Sequence, residues 1–108
     1  MAYLSARTNM RLNQHEIDVI KAAAAEIFGK DAEVRLFGSR VDDAARGGDI
    51  DLMVTVTQPV DNPAWDCARL EGSIIMKLGE QKIDVLLEAP GLKRFPIHEI
   101  AREQGIRL

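Results

Sequence analysis

The sequence predicts a mixed α/β (α+β) domain, with a three- to four-stranded sheet covered by helices in the order α-β-α-β-α-β-α. Three observations carry this expectation. Short runs around Glu33–Phe37, Asp49–Thr57 and Gln81–Leu87 alternate apolar and polar residues with the period of a strand. The segments between and around them repeat their apolar residues with helical spacing. Glycine, proline or asparagine stands at most of the junctions. Strands alternating with helices give a sheet with helices packed on it.

Residues 1 to 12 carry little pattern and are expected to fray. Asn13 caps the first helix, with Glu16 as its reciprocal partner and Leu12 and Ile17 as a hydrophobic staple. Ile17, Ile20, Ala24, Ile27 and Phe28 follow at helical spacing, and Gly29 stops the helix. Gly38 ends the first strand. Ser39 to Ala45 reads as a short helix and Arg46-Gly47-Gly48 as a turn. In the second strand Ile50, Leu52, Val54 and Val56 share one face, while Asp49, Asp51 and Met53 share the other. Asn62-Pro63 is a cap followed by proline at the first helical position, and this helix runs to Leu78 before Gly79. In the third strand Ile83, Val85 and Leu87 face the core and Asp84 points the opposite way. Pro90-Gly91 is a turn, Ile97–Gln104 a last helix and Ile106–Leu108 a tail.

The chain has 108 residues, which is enough for one domain, and 46% of them are apolar and 29% charged, as in ordinary globular proteins. Net charge is -3 and no basic face is visible, so direct nucleic-acid binding is not expected. The sole cysteine, Cys67, excludes an internal disulfide framework and suits a reducing cytoplasm. Neither a signal peptide nor a membrane-length apolar run is found.

The chemistry concentrates in two short motifs. Gly38-Ser39-Arg40 can wrap a phosphate: the glycine lets the backbone approach a ligand closely, and Ser39 offers a hydroxyl and an N–H at the start of a helix. Just downstream, Asp49 and Asp51 are spaced i, i+2, so both project from one face of a strand. If the second and third strands are neighbours, Asp84 joins them. Three carboxylates gathered together repel one another and raise their own pKa values, a penalty that a divalent cation removes. Mg²⁺ takes such carboxylates and completes its shell with water and phosphate oxygens. Solvated aspartates on an open sheet face are the plain alternative, but aspartate disfavours strands.

Leu36-Phe37-Gly38-Ser39-Arg40, Gly48-Asp49-Ile50-Asp51-Leu52 and Lys82-Ile83-Asp84-Val85 together resemble the DNA polymerase β-type nucleotidyltransferase superfamily. More narrowly, they resemble the minimal nucleotidyltransferases encoded beside HEPN-domain proteins. The resemblance runs from roughly residue 14 to the closing Glu103-Gln104-Gly105-Ile106-Arg107-Leu108. Gly48 departs from it, since many relatives carry serine or another polar residue there; this leaves the aspartates intact and loosens the loop. The resemblance implies a nucleotidyltransferase fold in which Gly38, Ser39 and Arg40 hold the triphosphate of ATP. It also implies that Asp49, Asp51 and Asp84 hold two Mg²⁺ ions, with Mn²⁺ as a substitute. Two such ions stabilise attacking and leaving oxygens in an in-line displacement. Asp84 would complete the metal site nearest the acceptor hydroxyl and take its proton. Arg40 reads equally well as an exposed ion-pair residue, and Arg46 and Lys82 read as solvated charges.

The resemblance further implies transfer of AMP to a protein hydroxyl, a tyrosine of a HEPN ribonuclease toxin encoded nearby, with this chain as the antitoxin. The length agrees, because the catalytic strands and their helices consume the chain and an acceptor must come from outside. Two other readings stand beside it: an antitoxin that occludes the toxin without catalysis, and a transferase acting on a small alcohol such as an aminoglycoside after forming a homo-oligomer. His15 and His98 lack the spacing of metal ligands, and Cys67 shares a core stripe with Leu70, Ile74 and Leu78. Trp65, Gly72 and Met76 fall on nearly the opposite side of that helix. They form either a partner surface or, with Trp65 folded over the helix start, a cover for the preceding loop.

Overall fold

In the computed structural model, which describes residues 12–38 and 50–108, the first helix begins as its sequence dictates. Asn13 Oδ1 accepts from the Glu16 N–H at 2.8 Å, and Glu16 Oε1 accepts from the Asn13 N–H at 2.9 Å. This reciprocal cap opens α1, Gln14–Phe28. Leu12, expected to fray, is instead 8% exposed and belongs to the core. Gly29, at φ 103°, ends the helix and donates to the Ala25 carbonyl.

Four strands follow from the remaining apolar runs: β1, Glu33–Phe37; β2, Ile50–Thr55; β3, Ile83–Glu88; and β4, Ile106–Arg107. Their order across the sheet is β3-β2-β1-β4. β1 runs antiparallel to β2 and to β4, whereas β2 and β3 are parallel. A parallel pair needs a crossover, supplied here by α2, Pro63–Leu78. The last helix, α3, is Pro96–Gln104. The architecture is therefore the expected mixed α/β sheet, open and four-stranded, with three helices among the described residues. The short helix expected at Ser39 to Ala45 and the turn at Arg46-Gly47-Gly48 lie outside those residues.

Strand alternation sorts the side chains onto two faces. Val34, Leu36, Ile50, Leu52, Val54, Ile83 and Leu87 are buried on one. Ile20, Ala23 and Ala24 of α1 and Leu70 and Ile74 of α2 complete that core, with Cys67 and Leu78 packed at its margin. Burying these branched side chains is the dominant favourable term, about 1.5–3 kcal/mol each relative to exposure.

The second face carries Asp51, Met53, Asp84, Leu86 and Glu88. Met53 is fully buried, so this face is closed over part of its area. α3 lies against it. Glu88 accepts from Arg94 and Arg102, and from Thr55 Oγ1 at 2.8 Å. His98, 3% exposed, donates from Nε2 to the Leu87 carbonyl at 3.1 Å while its Nδ1 accepts from the Phe95 N–H at 3.0 Å. A buried imidazole satisfied at both nitrogens is a structural post, in line with its lack of ligand spacing.

Some boundaries differ from expectation. Asn62 makes no side-chain cap bond, leaving Pro63 as the start signal of α2. β2 ends at Thr55 rather than Thr57. β3 starts at Ile83 rather than Gln81, where pairing with Ile50 begins, and extends to Glu88, held by Thr55 and by the Val56 N–H. The expected tail pairs with Arg35 and Leu36 as β4. α3 starts one residue earlier than expected, at Pro96.

Candidate functional site

The candidate site forms where β1 ends and β2 and β3 begin. Phe37, the last residue of β1, is the register partner of Asp51 on β2. Asp51 is in turn the register partner of Asp84 on β3. Adjacent strands lie about 4.8 Å apart, and register partners on parallel strands point to the same face. The two carboxylates therefore share one surface, as expected if β2 and β3 are neighbours. Asp51 is half-buried and Asp84 is exposed. Asp84 thus presents an oxygen-donor set to solvent beside one anchored in the sheet.

Gly38 closes the site from the β1 side. Its φ of 79° is a left-handed conformation that side chains rarely adopt. A Cβ added there would overlap the Asp51 carboxylate, lying 3.0 Å from its Cγ and 3.3 Å from its Cβ. The backbone entering the Gly38-Ser39-Arg40 segment therefore runs directly against the Asp51 side chain. Only a residue without a side chain allows that approach.

A further carboxylate was not evident from the sequence motifs. Glu71 is half-buried on α2. Burial first, and the Asp84 charge second, push its carboxyl above the usual range. Its signal lay in helical phase: Glu71 follows Leu70 and precedes Ile74 by three, at the edge of the core stripe. Negative charge at Asp84 is therefore felt across the β3–α2 boundary. Burial, then Glu71 and Asp66, likewise push the Cys67 thiol up. Cys67 is thus a protonated, half-buried side chain rather than a nucleophile.

Asp49, Ser39 and Arg40 lie outside the described residues. Among the described residues no group of three or more His, Cys, Asp or Glu side chains is assembled for a metal ion. The donors that are described fit a hard divalent cation, since both are carboxylates on one face and one is open to solvent. A cavity of about 500 Å³ lined by Phe28, Lys30, Asp31, Val60, Asp61 and Asn62 sits at the opposite end of β2. Its position separates it from Asp51 and Asp84. No described helix is long and apolar enough to cross a membrane.

A family model described as a nucleotidyltransferase domain matches residues 16–103, which covers most of α1, the Gly38-Ser39-Arg40 motif, both aspartate strands and most of α3. No curated protein sequence matches the chain significantly.

Proposed function

The chain belongs to the nucleotidyltransferase domain family, and from that membership we propose that it moves AMP from ATP to a protein hydroxyl. The observation that carries the reading is the registration of Asp51 with Asp84 beside the bare backbone of Gly38. It combines a carboxylate pair with a turn that can approach a phosphate, which is what transfer from a nucleoside triphosphate requires. The choice of ATP and of a HEPN-toxin tyrosine rests on the resemblance of the three motifs to the minimal nucleotidyltransferases.

Each residue then has a role. Gly38, Ser39 and Arg40 receive the β- and γ-phosphates, through backbone N–H groups, a hydroxyl and a guanidinium. Asp49, Asp51 and Asp84 would hold Mg²⁺, which neutralises the triphosphate and polarises the reacting phosphoryl group. Asp84, the most exposed of the described carboxylates at the site, faces the incoming hydroxyl and takes its proton. The acceptor oxygen bonds to the α-phosphorus, the bond from the α-phosphorus to the bridging oxygen breaks, and pyrophosphate leaves.

The test is to incubate the chain with ATP, Mg²⁺ and the HEPN protein encoded beside it, then weigh that protein's tyrosine peptides. The expected result is one added AMP on a tyrosine, with ribonuclease activity falling in step and neither effect with Asp51→Asn. Loss of ribonuclease activity without added AMP would favour steric occlusion instead.

A further inference from the structure

Two helices keep large apolar side chains in solvent. On α2, Trp65 is 65% and Met76 87% exposed, so Trp65 does not fold over the helix start. That helix packs on the core face of the sheet, away from the carboxylates. On α3, Ile97 is 41% and Ile100 45% exposed. This helix lies on the same face as Asp51 and Asp84. It starts over β3, where His98 Nε2 meets the Leu87 carbonyl. It ends at Gly105 beside β1, where an added Cβ would lie 3.4 Å from the Phe37 Cβ.

The two flanks of α3 differ in chemistry. His98 and Ala101 are buried, so the line between them points at the sheet. At 100° per residue, Arg102 lies ~70° and Glu99 ~130° to one side of that line. Ile97 and Ile100 lie at the same ~70° and ~130° on the other side. Arg102 reaches Glu88, the register partner of Thr55, so the charged flank is turned toward the C-terminal ends of β2 and β3. The apolar flank is therefore turned toward the opposite ends of those strands, where Asp51 and Asp84 stand. Leu86 continues it across the sheet: it is half-buried, and it shares a face with Asp84 two residues away on β3. A single exposed isoleucine needs no account. Two of them, continued by Leu86 up to a carboxylate, do.

We infer that Ile97, Ile100 and Leu86 form the wall on which the acceptor side chain rests while its hydroxyl meets Asp84. The inference rests on the transfer reading above and adds to it the residues that select the acceptor. In an in-line displacement the acceptor enters opposite the departing pyrophosphate. Gly38, at the end of β1, marks the phosphate side of the site, and β1 and β3 flank β2 on opposite sides. The acceptor therefore enters from the β3 side. Ile97 stands in the first turn of α3, at the end of the helix that lies over β3. An apolar wall leading to a carboxylate suits a side chain with an apolar body and a hydroxyl tip, which among protein hydroxyls is tyrosine. Serine and threonine are too short to span it, and a polycationic amino sugar would gain no ion pair from isoleucine.

The test follows transfer from α-labelled ATP to the HEPN protein while the concentration of each substrate is varied in turn. Ile97→Asn and Ile100→Asn should each raise KM for the HEPN protein about tenfold, with KM for ATP and far-ultraviolet circular dichroism unchanged. Ile97→Leu should keep the wild-type KM. Glu99→Gln, at the matching height on the charged flank, should change neither KM. Asparagine variants with wild-type kinetics, or an equal loss in Glu99→Gln, overturn the wall and leave transfer standing. A raised KM for ATP gives the wall to the nucleobase and overturns its role toward the acceptor. A wild type that labels nothing overturns transfer and the wall together.

Discussion

Asp51 and Asp84 stand side by side as register partners on parallel strands, and that pairing is what the rest of the fold holds in place. The core beneath them, from Ile50 and Leu52 to Ile83, fixes the register. A slip of either strand by one residue would send that strand's carboxylate into the apolar core.

Removing one charge from this pair should stabilise the ligand-free protein. Two like charges about 4 Å apart in water repel by about 1 kcal/mol. Asp84→Asn should therefore raise the thermal midpoint or leave it unchanged. The Glu71 carboxyl, which Asp84 helps to push up, should move back toward the ordinary range in an NMR titration. A lower midpoint would mean that Asp84 has a structural role.

Gly38→Ala should do the reverse. The left-handed backbone costs a substituted residue about 1–2 kcal/mol, and the new methyl group overlaps the Asp51 carboxylate. Urea unfolding should show that loss of stability, and transfer should fall further than stability does. Unaltered transfer would separate Gly38 from the site.

The far end of the sheet should respond to acid. Burial alone would raise the Glu88 carboxyl, but hydrogen bonds from Arg102, Arg94 and Thr55 outweigh it and lower its pKa from 4.5 to about 2. A pKa lowered by folding gives stability that is present above 4.5 and is lost as pH falls toward about 2. Urea midpoints measured across that window should drop in the wild type and drop less in Glu88→Gln. Parallel profiles would show that the Arg94–Glu88–Arg102 cluster adds nothing to stability.

Much of this architecture was legible in the residues. Asn13, Glu16 and Gly29 mark the ends of α1, and Glu33–Phe37 is bounded as its alternation indicates. The shared face of Asp51 and Asp84 was legible because each alternates with Ile, Leu or Val that the core claims, which turns the carboxylate to the other side of its strand. What stayed hidden depends on tertiary contact. β4 has only two residues, too few for a period, and exists because β1 offers it an edge. Full burial of Met53, on the face opposite the main core, cannot be read from β2 alone. Glu71 lies on a helix remote in sequence from the strand whose charge it feels.

Nucleotide binding should require metal. Triphosphate and carboxylates are both anionic, so ATP should stabilise the chain with Mg²⁺ present and fail to do so in excess EDTA. At one hundred times Kd the expected gain is about 2.7 kcal/mol. Equal stabilisation without metal would contradict the carboxylates' assigned role.

The most direct measurement follows two labels in parallel reactions containing Mg²⁺, the HEPN protein and this chain. In one, ATP is labelled at the α-phosphate; in the other, at the γ-phosphate. Transfer at the Asp51–Asp84 site predicts that α-label becomes protein-bound, γ-label leaves in pyrophosphate, and Asp84→Asn does neither while remaining folded. Protein-bound γ-label, or undiminished α-label with Asp84→Asn, would contradict the account.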